Sequence, residues 1–170
     1  MHSIYYGLQT EDNVTLHIEV AWKTIEDHQK LIDNPELYKK LGEALLPCMA
    51  GTPDMVHVYF NPSIAPVLNA SVTSFCQIAL QPGASEEEIK AEREKLVGSP
   101  SVHPVSASWG RAVERAEYIL AEGWEESLQG ATDSEHAQVR DQSSAKEINV
   151  AKKAFRVALA TYKHYEQEEM

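Results

Sequence analysis

Trp22 to Phe60 decides the fold. It reads W-K-T-I-E-D-H from Trp22 to His28, then an amphipathic run N-P-E-L-Y-K-K-L-G-E-A-L-L from Asn34 to Leu46, then M-V-H-V-Y-F from Met55 to Phe60. A strand ending in Trp, a helix with a histidine in its first turn and a closing strand with another histidine form a compact unit with polar groups aimed into one pocket. Just upstream, Val14 to Trp22 alternates strictly, with Val14, Leu16, Ile18, Val20 and Trp22 on one face and Thr15, His17, Glu19 and Ala21 on the other, the pattern of a half-buried strand. Ser3 to Leu8 reads as its hairpin partner across the polar turn Thr10 to Asn13. Thr24 followed by Asp27 resembles a capping box that opens one helix, and Pro35 opens a second. There Leu37, Leu41, Ala44 and Leu45 share a face that is expected to pack on the sheet. Gly51 to Asp54 break the helix, and Asn61 to Ala70 reads as a linker.

The pattern restarts at Val72. Val72 to Leu80 is an apolar strand, and Ser85 with Glu88 boxes a helix whose buried stripe is Ile89, Leu96 and Val97. The segment Ser106 to Trp124 then echoes Ser3 to Trp22 in its Ser, aromatic, Gly and terminal Trp, and T-D-S-E-H at Thr132 echoes T-I-E-D-H at Thr24. This is a diverged internal repeat. Ser144 and Glu147 are expected to box a last helix containing Ile148, Ala151, Ala154 and Phe155, with Val157 to Tyr165 as the final strand. The second half, residues 71–170, thus reads strand, helix, strand, strand, helix, strand, a ferredoxin-like α+β order with helices on one face of an antiparallel sheet. The first half, residues 1–70, holds the last four of these elements and lacks the opening strand and helix.

Composition narrows the function classes. A chain of 170 residues with 43% apolar residues can bury a sizeable core without staples. Its 26 Asp and Glu against 15 Lys and Arg give a net charge of -11. No basic stripe offers counterion release, so nucleic acid is not an expected partner. Cys48 and Cys76, with no apolar targeting run at the N-terminus, fit a reduced, cytoplasmic setting. No run approaches the roughly 20 apolar residues of a membrane helix. The absence of a Gly-rich phosphate loop, a G-x-S-x-G and a Cys-x-x-Cys argues against a nucleotide cofactor, and none is expected.

The run W-K-T-I-E-D-H-Q-K-L-I-D-N-P-E-L-Y-K-K-L, followed by L-L-P and M-V-H-V-Y-F, resembles the dimeric α+β barrel superfamily, and within it the antibiotic biosynthesis monooxygenase-like proteins frequent in fungi. The resemblance covers Val14 to Phe60 and is traceable from Val72 to Tyr165. It implies two sheets facing each other around a small-molecule cavity, here from two diverged repeats, and a homodimer. It does not fix a reaction, because the superfamily spans cofactor-free monooxygenases, polyketide cyclases, decarboxylases, haem-dependent enzymes, isomerases and proteins without known activity.

If helices cover the apolar face of the Val14 strand, His17 and Glu19 line that cavity, and His57 and Tyr59 alternate likewise on the closing strand. A histidine, a carboxylate and a tyrosine converging there supply a general base, its orienting partner and a donor for an enolate oxygen. Solvent-facing polar residues are the plain alternative. His28, Trp22, Tyr5 and Trp124 are the candidate substrate contacts. For the two Trp residues, core packing with the indole N–H on a backbone carbonyl is the plainer reading, and for His28 an exposed helix position. His136 repeats the His28 position. His17, Glu19 and His57 satisfy a two-histidine, one-carboxylate metal formula, but no spacing compels it and no metal is expected. The functional expectation is a cofactor-independent enzyme that cyclises, dehydrates, isomerises or decarboxylates a hydrophobic, enolisable metabolite. Its alternatives are a cofactor-free monooxygenase using O2 and a non-catalytic ligand-binding or stress-related barrel.

Overall fold

The computed structural model describes residues 3–80, 87, 90, 91, 104–125 and 150–162. Among these the elements are β1 (Ser3–Leu8), β2 (Leu16–Ala21), α1 (Ile25–Ile32), α2 (Pro35–Leu45), β3 (Val58–Asn61), α3 (Ala65–Leu68), β4 (Val72–Leu80), β5 (Ser106–Ala112), β6 (Glu117–Trp124), β7 (Val150–Val157) and β8 (Ala160–Tyr162). The fold is mixed α+β with two antiparallel sheets, one ordered β2-β1-β8 and the other β3-β5-β6-β4-β7.

Local chemistry sets several boundaries. In the β1–β2 turn Asp12 accepts from the backbone of Val14 at 2.8 Å and of Thr15 at 2.9 Å. The ladder therefore starts at Leu16 instead of Val14, since the Asp side chain competes for those N–H groups. Thr24, extended and capping, accepts from Asp27 N at 3.3 Å to open α1, and Asn34 accepts from Leu37 N at 3.1 Å to open α2 with Pro35 in its first turn.

Each sheet takes a strand from the other half of the chain. β3 lies on the edge of β5, with Val58 opposite Ala112, and β8 lies on the edge of β1, with Thr161 opposite Tyr5. The main core fills the space between the sheets. Tyr5 from the small sheet meets Phe75, Ile119, Ala121, Phe155 and Val157 of the large one, closed by Val67 and Leu68 of α3. A second cluster of Cys76, Ile78, Trp109 and Leu120 sits on the opposite face of the large sheet, as the two-residue alternation of β4 and β6 requires.

Four expectations are corrected. Ala151, Ala154 and Phe155 belong to strand β7, not to a helix: β7 pairs along β4 with Phe155 opposite Phe75, and this ladder overrides a helix-like spacing. Asn61 to Ala70 is not only a linker, because α3 buries Val67 and Leu68. The apolar stripe of α2 does not pack on the sheet, and Leu37 and Leu41 are exposed. The apolar face of β2 also points outward, with Leu16 37% and Ile18 39% exposed beside Tyr6 and Leu8 of β1. Glu87, Lys90 and Ala91 are helical where a helix is expected. Ser85, Glu88, Ile89, Leu96, Val97, His136, Ser144, Glu147 and Ile148 lie outside the described residues, as does the end of the strand expected to reach Tyr165.

Candidate functional site

Two chain turns and one helix meet at a histidine pair. His28 follows the Thr24 cap on α1 and is buried, with its ring stacked on Trp22 at 4.7 Å and 15°. Its Nδ1 lies 2.6 Å from Nε2 of His57, the residue that leads into β3. Behind His57 stands Glu114, in the turn between β5 and β6. One Glu114 oxygen meets His57 Nδ1, and the other accepts from the His57 backbone N at 2.9 Å. The same turn reaches back through Val113 N to His57 O at 2.9 Å and through Arg115, which bridges Asp54 and Glu117 at 3.0 Å each.

For two neutral rings the network fixes the tautomers. An ionised carboxylate only accepts, so His57 carries its proton on Nδ1 and presents a lone pair at Nε2. His28 must then donate from Nδ1, which leaves His28 Nε2 as a lone pair beside Trp22 with no partner among the described residues. Burial first, and then the neighbouring His57, lower the pKa of His28 against the opposing pull of Glu114. A neutral base at ordinary pH results. Burial raises the Glu114 carboxyl, but hydrogen bonds from the His57 ring and backbone outweigh it and hold the group below its usual value. A proton taken at His28 Nε2 can pass its charge through Nδ1 to His57, where the Glu114 carboxylate stabilises the imidazolium.

The residues singled out from sequence divide into separate groups. His28, His57 and Trp22 come together here. His17, Glu19 and Tyr5 share the inner face of the small sheet, over the main core. His17 stacks on Phe155 at 4.3 Å with its Nε2 3.4 Å from the Gln9 side chain. Glu19 lies opposite the buried Tyr5, whose hydroxyl accepts from Asn69 at 3.3 Å. Burial raises the Glu19 carboxyl to about 7. Tyr59 stands apart at 64% exposure, opposite Arg111. Trp124 is buried on the outer face of the large sheet and donates from its indole nitrogen to Ser74 Oγ at 2.9 Å, a hydroxyl that in turn donates to the buried Glu122 at 3.1 Å. Glu114 was not anticipated. Its one sequence signal is its place in the Ser106 to Trp124 echo, where it corresponds to Glu11 of the first hairpin turn.

No group of three His, Cys, Asp or Glu among the described residues is arranged to hold a metal ion, and no helix among them is long and apolar enough to cross a membrane. No protein-family model, curated protein or solved structure matches the chain.

Proposed function

We propose that this protein is a cofactor-independent enzyme that moves protons on a hydrophobic, enolisable small molecule, with His28 Nε2 as the base. The 2.6 Å contact between the His28 and His57 rings, backed by Glu114, carries this reading. It leaves a neutral, desolvated imidazole with a route for the proton away from substrate, which is what abstraction beside a carbonyl needs. Trp22, stacked on His28, offers an apolar wall for such a substrate. The class of substrate itself is carried over from the resemblance to the antibiotic biosynthesis monooxygenase-like proteins. His17, Glu19 and Tyr59 take no part in this relay.

We also assign the fold to the dimeric α+β barrel type. In the large sheet the order β5-β6-β4-β7 supports a ferredoxin-like second repeat, because β4 and β5, and likewise β6 and β7, are separated in the sheet by one strand. The exposed apolar faces of the small sheet and of α2 support burial against a second copy of the chain.

Proton exchange tests the reading directly. With benzoylacetone as probe in D2O, deuterium uptake at the carbon between its carbonyls should be faster with the protein than without it. His28→Gln should slow that uptake by on the order of 10²-fold or more, the usual weight of a positioned base, and Glu114→Gln should shift its pH profile. The rate should climb with pH through the lowered His28 pKa and level off above it. Uptake equal in the wild type and His28→Gln would reject the proposal. Consumption of O2 with the same probe would redirect it to the oxygenase alternative.

A further inference from the structure

The hairpin turn that supplies Glu114 has a counterpart. Val113 donates its backbone N–H to His57 O at 2.9 Å, and the His57 N–H returns a bond to Glu114 at 2.9 Å. In the other hairpin Thr10 donates to Arg156 O at 2.9 Å, and the Arg156 N–H returns bonds to both Glu11 oxygens at 3.1 Å. The next residues along match as well, since Ala112 pairs with Val58 and Gln9 bridges Val157. Thr10 and Glu11 thus stand to Arg156 as Val113 and Glu114 stand to His57. Each hairpin grips the strand arriving from the other half by its backbone and then by its side chain. At one grip the side chain is the His57 ring; at the other it is the Arg156 guanidinium, whose Nε lies 3.2 Å from Glu11 Oε1.

We infer that Glu11–Arg156 is the structural duplicate of Glu114–His57, with a fixed cation in place of a titratable ring, so that of the two clamps only Glu114–His57 can serve as an acid–base centre. The difference follows from the side chain alone. A guanidinium stays protonated at any ordinary pH and presents five donors with no acceptor, so it can neither take a proton from a neighbour nor hand one on. The carboxylate clamp survives because its backbone half does not depend on which side chain it holds. Naming Glu11–Arg156 the silent member rests on the relay reading of His28, His57 and Glu114; the equivalence of the two clamps does not.

The test is the substitution Arg156→His, read by NMR of imidazole protons. The introduced ring should show a far-downfield Nδ1 proton held by the Glu11 carboxylate, as expected of the His57 ring on Glu114. Adding Glu11→Gln in that background should remove that signal. An introduced ring without such a proton overturns the equivalence. Should the variant not fold, amide exchange in single variants decides. Glu11→Ala should speed exchange at the Arg156 N–H at least tenfold, as Glu114→Ala should at the His57 N–H, and an unchanged Arg156 amide refutes the inference. Deuterium uptake by benzoylacetone is the separate readout for the relay, so failure of one leaves the other legible.

Discussion

Replacing Glu19 by Gln should stabilise the protein by an amount that grows as the pH rises above about 4.5 and is complete above about 7. The carboxyl sits on the inner face of the small sheet, opposite Tyr5 and above a core of Phe75, Phe155 and Ile119, and burial raises its pKa from 4.5 to about 7. A group whose folded pKa is raised contributes its full stability below its unfolded value and loses that contribution as the pH climbs through the folded value. The wild type therefore carries no penalty below about pH 4.5, where both states are neutral, and the whole penalty above about pH 7. At ~1.4 kcal/mol per pKa unit the ceiling is about 3.5 kcal/mol. Water reaching the half-buried group lowers that figure. Gln keeps the shape and removes the charge, so the difference between variant and wild type isolates this one ionisation and cancels every other titrating group. Urea denaturation at steps between about pH 4 and pH 9 should show the two curves together at the acid end and separated by up to about 3.5 kcal/mol at the alkaline end. In melting temperature the gap should approach about 10 °C for a chain of this length. A stability difference that stays flat across the pH range would refute the claim that the carboxyl is buried against the core.

Two glycines should respond in opposite directions to the same substitution. A Cβ on Gly7 would run into the Ala158 carbonyl oxygen and come within 2.8 Å of Val157 Cγ1, so Gly7→Ala should cost on the order of 1–3 kcal/mol in urea unfolding. Gly42, in the body of α2 with nothing within 4 Å, should instead gain roughly 0.5–1 kcal/mol on substitution by Ala. Trp124→Phe removes the indole donor to Ser74 beside the buried Glu122. It should cost roughly 1–3 kcal/mol, seen as a lower melting temperature, and leave the benzoylacetone exchange rate unchanged.

What the sequence makes legible here follows from how local each determinant is. Thr24 and Asn34 cap helices within three residues of themselves, so W-K-T-I-E-D-H and N-P-E-L are enough to place α1 and α2. The alternation of Leu16, His17, Ile18 and Glu19 fixes the period of β2, but a period carries no sign, and the inner face turns out to be the one with His17 and Glu19. That face is less polar than it reads: the His17 ring lies flat on Phe155, and a carboxyl with its pKa near 7 is protonated over much of the pH range. At β7 the spacing of Ile148, Ala151, Ala154 and Phe155 is compatible with a helix, and only the ladder offered by β4, distant in the chain, selects a strand.

The site is the least local feature of all, and this explains which of its members could be read. His28 and Trp22 belong to one continuous motif and are visible together. His57 is visible as a histidine beside a strand, but its partner Glu114 lies 57 residues further along, in a turn that reads as ordinary hairpin chemistry. The two meet because β3 leaves the small sheet and pairs with β5, which brings the end of the β5–β6 hairpin against the residue that precedes β3. The same exchange of strands places Arg156 on Glu11. A carboxylate in the turn of a hairpin is thus a signal only once the foreign strand is known to dock there. In a chain whose two halves trade strands, that docking assigns to one hairpin a ring that can relay a proton and to the other a cation that cannot.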